Sequence, residues 1–307
     1  MEATKTKRKR NHGFSKSNNA TNNNRRRNNG RGGRKKAVSS IDPKMLVKKA
    51  VQKEETIYQA PRGYDEMPLS PNLKANLHAK GFKRPTQIQN DTIEHLIAGR
   101  DLLGVANTGT GKTGAFLIPI IEQLLNAPKP FQTLVVVPTR ELALQVEQEF
   151  SALSNRLGLY SSSFIGGTNV NSDLKKLRRK SHLIIGTPGR LMDMVERGAL
   201  HLKDISTLVL DEFDRMLDMG FVNDIKRMVK AMSNRKQTML FSATVDKTQK
   251  SLINELLNNP VEVKVSTGES TSDQIEQDII KVPQGADKYN MLLDLISDRD
   301  FEKVLIF

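Results

Sequence analysis

Five short apolar runs alternate with helical patterns between residues 64 and 265. The runs are Leu102 to Ala106, Leu134 to Val137, Leu183 to Gly186, Leu208 to Leu210, and Met239 to Phe241. The clearest helical pattern is spaced by 4, 4, 3 and 4 residues, which places its apolar members on one face: Leu142, Val146, Phe150, Leu153 and Leu157. Short apolar strands that alternate with helices predict an α/β fold, a mostly parallel sheet with helices on both faces.

A polar cluster follows every one of these strands. The clusters are Ala106 to Thr113, Pro138 to Glu141, Thr187 to Arg190, Asp211 to Asp214, and Ser242 to Thr244. In parallel sheets, ligands bind beyond the carboxyl ends of the strands. The pattern therefore predicts that the five clusters share one cleft.

The first cluster has the chemistry of a phosphate loop. It matches G-x-x-x-x-G-K-[ST], except that Ala106 stands in the first position. Such a turn between strand and helix presents backbone N–H groups to a phosphate. Lys112 adds a charge for the β- and γ-phosphates, and Thr113 adds a hydroxyl for magnesium. We expect ATP or GTP to bind here; the alternative is a glycine-rich turn with an incidental lysine.

The fourth cluster places carboxylates where a metal ion would be needed. Asp211 follows the strand Leu208 to Leu210, and a carboxylate at a strand end beside a phosphate loop is suited to hold Mg²⁺ through water. The alternative is an acidic loop that caps the next helix.

The charge of the chain lies mostly at one end. Of the net charge of +14, residues 1–36 carry +12, from 13 lysines and arginines against Glu2 alone. Residues 1–38, rich in Asn, Arg, Lys and Gly, have too little apolar surface to fold, so we expect a disordered basic tail. It is either an electrostatic arm for nucleic acid or a solvating segment.

The remaining divisions follow from changes in composition. Residues 39–63 form an N-terminal extension with a short helix from Asp42 to Val51, residues 64–265 the main domain, and residues 266–272 a linker. Residues 273–307 contain a strand-like run (Ile279 to Val282), a helix-like run (Tyr289 to Ile296) and a terminal apolar run (Val304 to Phe307). They are too few to build a core of their own, so we expect them to be loosely ordered or docked on the main domain.

Composition excludes several functions. No apolar run approaches eighteen residues, so no membrane span is expected, and the N-terminus lacks the apolar centre of a secretory signal. The absence of cysteine fits a reducing, cytoplasmic setting. The five histidines show no close pairing, which disfavours a zinc site.

Seven motifs in a characteristic order, taken together, resemble the DEAD-box family of RNA-dependent ATPases. They are the five clusters above together with Gly81 to Gln89 and Gly166-Gly167. The resemblance runs from Tyr64 to Phe307 and implies a first RecA-like domain followed by the opening of a second. It also implies an ATP-dependent RNA helicase.

The resemblance assigns roles at the ATP site. It implies that Phe82 stacks on the adenine, that Gln89 hydrogen-bonds its edge, and that Glu212 activates the attacking water. Lys112 and Asp211 join Glu212 as catalytic residues, and Thr113 and Asp211 hold Mg²⁺. The rest of the loop binds phosphate: Ala106, Thr108, Gly109, Thr110 and Gly111. Asp214, Ser242 and Thr244 link the ATP site to strand separation.

The other clusters resemble the family's RNA-binding segments. The implied backbone contacts are Pro138, Thr139, Arg140, Gly166, Gly167, Thr187, Gly189 and Arg190. Glycine, hydroxyl and N–H groups contact phosphates without reading base edges, so the binding would not depend on sequence. Considered singly, the glycines fit an ordinary turn and the arginines surface charges. Basic residues at 175, 176, 178, 179 and 180 fit a solvated helix face.

Three positions depart from the family's pattern. Tyr64 stands where Phe is usual, Asn107 where Gln is usual, and Phe213 where Ala is usual. We expect Phe213 to crowd the phosphate loop or the Ser242 to Thr244 turn, which would slow turnover and leave ATP binding intact.

The expected function is an ATP-dependent RNA helicase whose second domain is incomplete. Nothing in the sequence matches the motifs of that domain, which in the family supplies an arginine finger worth about 10³ to 10⁵ in rate, so we expect weak turnover from this chain alone. One alternative is an RNA-binding or annealing protein that uses the basic tail, with the ATP site acting only as a switch. A DNA translocase is disfavoured by the adenine motif and by the Ser242 to Thr244 form.

Overall fold

The computed structural model describes Val47 and residues 58–265, 276–297 and 303–306. The predicted tail over 1–38, the helix from Asp42 to Val51 and the linker over 266–272 lie outside the described residues. A seven-stranded sheet dominates the main domain, in the order β3-β4-β2-β5-β6-β1-β7, and every pair of neighbours is parallel. The strands are β1 (Leu102–Val105), β2 (Thr133–Val136), β3 (Ser161–Phe164), β4 (Leu183–Gly186), β5 (Thr207–Leu210), β6 (Gln237–Ser242) and β7 (Val261–Lys264).

Nine α-helices of the described residues surround this sheet. They are α1 (Pro71–Ala79), α2 (Gln87–Ile97), α3 (Lys112–Asn126), α4 (Arg140–Leu153), α5 (Val170–Leu177), α6 (Pro188–Glu196), α7 (Phe213–Asp218), α8 (Val222–Ala231) and α9 (Lys247–Leu256). Among the described residues, no helix has both the length and the apolar character needed to cross a membrane.

The strands separate two hydrophobic clusters because their side chains alternate between the two faces. On β4, Leu183 and Ile185 belong to the cluster built with α1 to α4, whereas Ile184 belongs to the cluster built with α5 to α9. On β6, Met239 and Phe241 belong to the first of these clusters and Leu240 to the second. The predicted arrangement of a parallel sheet with helices on both faces is confirmed.

Two strands were not predicted. β3 has the sequence Ser-Ser-Ser-Phe, which carries little hydrophobic signal, and β7 alternates Val261 and Val263 with the charged Glu262 and Lys264. Both lie at the edges of the sheet, where one side of the strand has no neighbour and polar side chains are tolerated. The five predicted strands are all present, with ends that shift by no more than two residues.

The described residues 279–297 and 303–306 belong to a second compact unit, distinct from the unit of residues 48–278. Here the predicted helix is present as α10 (Lys288–Ser297), and it buries none of its side chains. The predicted strand over 279–282 is wrong, since these residues have no regular secondary structure, and residues 304–306 of the predicted terminal run have none either; Phe307 lies outside the described residues. Apolar runs become strands only when a neighbouring strand satisfies their backbone groups.

Asp101 connects three strands at their amino-terminal ends. It precedes β1 and is almost fully buried; its carboxylate accepts hydrogen bonds from the N–H of Thr238 on β6 and of Asn258 before β7, each at 2.7 Å. Its own carbonyl accepts from the N–H of Val261 at 2.8 Å. Through its carboxylate and its carbonyl, Asp101 therefore ties β1 to β6 and to β7.

We expect Asp101→Ala to lower the free energy of unfolding by about 2 to 4 kcal/mol, because the buried N–H of Thr238 and the partly buried N–H of Asn258 lose a charged acceptor. Urea denaturation of the full chain measures this. Glu262→Ala is the control: its exposed carboxylate lies 3.6 Å from Lys264, and its removal should cost less than about 0.5 kcal/mol. Equal losses in the two variants would contradict the assignment.

Candidate functional site

The residues that follow the strands are held together by a continuation of the sheet's hydrogen bonds. Ala106 N–H donates to the Ser242 carbonyl, Asp211 N–H to the Val136 carbonyl, and Val137 N–H to the Gly186 carbonyl, all at 3.0 Å. The first residue after β1, β5 or β2 is thus held against the end of the neighbouring strand in each case. The structure brings the five predicted clusters together at the carboxyl ends of the strands.

The phosphate loop is closed on itself. Lys112 is the first residue of α3 and is buried; its Nζ donates to the carbonyl of Ala106 at 2.7 Å. Thr110 Oγ1 donates to the Asn107 carbonyl at 2.8 Å. Gly111 has φ +94° and no room for a Cβ, which would lie 2.8 Å from Gln89 Nε2. Glycine is therefore required here on both counts.

Gln89 joins the predicted adenine motif to the phosphate loop. Its Oε1 accepts from the Tyr64 hydroxyl at 2.5 Å and from the Thr86 N–H at 2.9 Å, and its Nε2 donates to the Gly111 carbonyl at 3.0 Å. An amide offers two donor hydrogens and two acceptor positions. In this arrangement both acceptor positions are in use, and one N–H remains for a base.

The aromatic residues of the motif lie beside this amide. The Tyr64 and Phe82 ring centroids are 6.0 Å apart with the planes tilted by 54°. Tyr64 is fully buried, and burial raises the pKa of its phenol, so the hydroxyl remains a donor. Phe82 is half-buried and packs against the core cluster.

The carboxylates after β5 differ from one another. Burial raises the pKa of Asp211 to about 6, while the positive charge of Lys112 and the hydrogen bond from the Glu212 N–H oppose that rise. Glu212 has φ +51°, a left-handed conformation that is uncommon for a residue with a side chain. Its carboxylate lies 3.4 Å from Arg215 Nη1. Strained backbone of this kind is typical of functional sites.

Asp214 binds the turn that follows β6. Its Oδ2 accepts from the N–H of Ala243 at 3.2 Å, and from both the N–H and the hydroxyl of Thr244 at 3.0 Å. Ser242 Oγ accepts from the Asp214 N–H at 3.3 Å. The three residues predicted to act together, Asp214, Ser242 and Thr244, are thus in direct contact.

Phe213 lies in the core and not in the cleft. It is fully buried in the cluster that α5 to α9 form against the sheet. The contacts between Asp214 and Thr244 are intact beside it. The expectation that Phe213 crowds the cleft is therefore wrong, because α7 begins at Phe213 and turns its ring inward.

On the predicted RNA side, Thr139, Arg140 and the glycine pair lie together. Thr139 Oγ1 accepts from the Leu142 N–H at 3.3 Å and caps α4, which begins at Arg140. The exposed Arg140 lies on Gly167, where a Cβ would come within 2.5 Å of the guanidinium nitrogens. Thr187 precedes α6, and Gly189 is exposed in its first turn.

Arg190 is turned into the protein. Its side chain is 10% exposed and forms hydrogen bonds to Asp173, Asp193 and Thr168. The sequence patterns did not single out Asp173 or Thr168, and no local spacing relates them to Arg190. On α5 and the following turn, Lys175, Arg178, Arg179 and Lys180 are exposed as predicted, while Lys176 is half-buried and donates to the Ser163 carbonyl at 3.3 Å.

The parallel sheet, the phosphate loop at the start of α3 and the carboxylate after β5 together define a RecA-like nucleotide-binding fold. Comparison with known families narrows this class. The family model described as DEAD/DEAH box helicase matches residues 86–252, more than half of the chain. The chain belongs to the DEAD/DEAH box helicase family.

Individual relatives agree with this assignment. The chain is 38% identical over 245 residues to the ATP-dependent rRNA helicase RRP3 of Candida albicans, covering 80% of this chain and 46% of the relative. It is 37% identical over 254 residues to the ATP-dependent RNA helicase RhlB of Pseudomonas aeruginosa, covering 80% and 64%. The chain therefore spans about half to two thirds of the length of these curated relatives.

A solved structure has a similar fold. The crystal structure of a DEAD box protein from Methanococcus jannaschii superposes with a TM-score of 0.64 at 34% identity, covering 66% of this chain and 56% of that one.

The raised pKa of Asp211 predicts a pH-dependent effect of Asp211→Asn. The pKa of Asp211 rises from 3.8 in the unfolded chain to about 6 in the folded one, so the folded protein binds this proton more tightly and loses that stability as the pH rises through about 6. Asn retains the shape without the charge. In the absence of divalent cations we expect the variant to be more stable than wild type by up to about 3 kcal/mol near pH 7.

The difference in stability should shrink towards about pH 4, where Asp211 in the folded wild type is protonated and therefore neutral, like the asparagine of the variant. Urea denaturation at several pH values measures it, with the surface variant Asp224→Asn as the control. If the free energies of unfolding of Asp211→Asn and wild type differed by the same amount at every pH, the raised pKa of Asp211 could not be the cause.

Proposed function

We propose that this chain is the nucleotide-binding part of an ATP-dependent RNA helicase, which binds ATP with Mg²⁺ and the RNA backbone and hydrolyses ATP. The observation that carries the proposal is the meeting of Lys112, Asp211 and Asp214 at one edge of the sheet. The loop N–H groups and Lys112 would hold the phosphates, and Glu212 would hold and deprotonate the attacking water. The cysteine-free composition supports a cytoplasmic setting.

The donor set fits Mg²⁺. Magnesium usually keeps several waters and takes one or two protein oxygens beside the substrate phosphates. Thr113, in the first turn of α3, would supply such an oxygen, and Asp211 would hold the ion through water. The burial that raises the pKa of Asp211 is the condition under which a cation beside it is favourable. When bound, the ion would neutralise charge on the phosphates.

The RNA surface is formed by the segments that begin α4 and α6 and by the glycine pair. Backbone groups and hydroxyls at Thr139, Gly166, Gly167, Thr187 and Gly189 are suited to sugar-phosphate contacts, and Arg140 adds a charge. None of these groups reads a base, which supports binding to single-stranded or short duplex RNA irrespective of sequence.

We expect Lys112→Ala to weaken ATP binding by about 10-fold or more, because the phosphates lose their buried cation. Glu212→Gln should leave ATP binding unchanged and lower hydrolysis by about 100-fold or more. Calorimetric binding of ATP with Mg²⁺, and phosphate release with and without single-stranded RNA, measure the two effects on the full chain. ATP binding that is insensitive to Lys112→Ala would overturn the proposal.

A second arm separates the helicase from an RNA-binding or annealing protein that uses the basic tail. The same assays are made on a chain that lacks residues 1–38. RNA-stimulated phosphate release that survives the deletion supports the helicase. RNA affinity abolished by the deletion, without RNA-stimulated phosphate release in either form, would favour the tail.

Tyr64 predicts an unusual preference between purines. Its hydroxyl occupies an acceptor position of Gln89 that would otherwise receive the adenine amino group, and giving up such a bond costs about 1 kcal/mol. We expect Tyr64→Phe to bind ATP about 5-fold more tightly and to bind ITP, which lacks that amino group, unchanged. Competition binding measures both, with the exposed Tyr160→Phe as the control. Weaker ATP binding by Tyr64→Phe would contradict this role.

A further inference from the structure

The Arg190 guanidinium is almost completely engaged by the protein. Nε donates to Asp173 Oδ2 at 2.9 Å, and Nη1 to Asp193 Oδ2 at 3.2 Å. Nη2 donates to the carbonyl of Thr168 at 2.6 Å and to its hydroxyl at 3.2 Å. Four hydrogen bonds account for most of the five N–H groups that an arginine has.

The charge of Arg190 is balanced where it lies. Asp173 is 1% exposed, and Asp193, which also pairs with Arg197 at 2.6 Å, lies on the same helix as Arg190. Two carboxylates and two guanidinium groups therefore form a neutral cluster. A phosphate outside it would gain little attraction from Arg190, in contrast to the exposed Arg140.

This cluster holds the segment that carries the glycine pair. Thr168 follows Gly167 directly; its hydroxyl donates to the Ile165 carbonyl at 2.8 Å and contacts Asp173 Oδ2 at 3.0 Å. Residues 165–169, here called the glycine loop, join β3 to α5. Thr168, Asp173 and Arg190 thus join the glycine loop, α5 and α6 through partly buried polar contacts.

We infer that Arg190 is a positioning residue: through Asp173 and Thr168 it fixes the shape of the glycine loop, so that Gly166, Gly167 and Arg140 present one surface to the RNA backbone. The inference rests on the proposed RNA surface. It reverses the expectation that the Arg190 side chain itself contacts phosphate.

Asp173→Asn separates the two roles because it makes the protein more positive. A phosphate contact by Arg190 would be unchanged or strengthened by the loss of a competing carboxylate. A positioning role requires the opposite: RNA binding falls by about 5-fold although the net charge rises. The full chain and a fluorescent oligouridine provide the measurement, with ATP affinity as the check that the nucleotide site is intact.

Conservative exchanges give a matched pair. Lysine keeps the charge but lacks the fork that reaches three partners. Arg140→Lys should therefore retain most of the RNA affinity, whereas Arg190→Lys should lose as much as Arg190→Ala. Rescue of RNA binding by lysine at position 190 would overturn the inference.

Salt dependence is a second readout. Each phosphate of a single strand that the protein no longer neutralises lowers the slope of log K against log salt by about 0.7. Arg140→Ala should show that decrease, and Arg190→Ala should weaken binding with the slope unchanged. A decrease in slope for Arg190→Ala equal to that for Arg140→Ala would identify Arg190 as a phosphate-binding residue.

Hydrogen exchange tests the loop without RNA and independently of the basic tail. Amides of the glycine loop should exchange about 10-fold faster in Asp173→Asn and in the milder Thr168→Val, with the sheet unaffected. Unchanged loop exchange in both variants would refute the positioning role. A further measurement on the wild type adds oligouridine. If the variants exchange faster but oligouridine does not protect the glycine loop of the wild type, the proposed RNA surface is refuted and the positioning of the loop by Arg190 is not.

Discussion

The parallel pairing of the strands is the constraint on which the site depends. Because all seven strands run in one direction, the backbone leaves the sheet on the same side each time, and the side chains that follow are brought together without any relation in sequence. The hydrogen bonds of Ala106, Asp211 and Val137 extend the ladder by one residue beyond the strands. The base of the cleft is therefore held by the same ladder of hydrogen bonds as the sheet.

Elements of the fold and of the site could be predicted from the sequence where the role of a residue depends on its neighbours in the chain. The phosphate loop is an example, since Gly111 and Lys112 act through a single turn. Buried central strands such as β4 were equally clear because their residues are apolar on both faces. The serine-rich β3 gave no such signal: Ser162 is buried because its hydroxyl pairs with that of Ser181 at 2.7 Å, a contact that only the folded chain creates.

The same limit applied to the site. Arg190 was predicted as an RNA contact because its segment resembled one, but the direction of its side chain depends on Asp173, 17 residues earlier. Phe213 was expected to crowd the cleft because a large side chain stands where the family usually has alanine. Its burial is decided by the hydrophobic cluster beneath α7, and a position next to a functional residue says little about which way a side chain points.

The hydrogen bond from Lys112 to the carbonyl of Ala106 gives the phosphate loop an internal competitor. The ammonium is desolvated and already has an acceptor, so an anion that binds it exchanges one partner for another and gains only the difference. A neutral carbonyl loses readily to several charged oxygens held by the same loop, and much less readily to a single weak anion. The loop therefore discriminates among anions by the number of charged oxygens that they bring to Lys112.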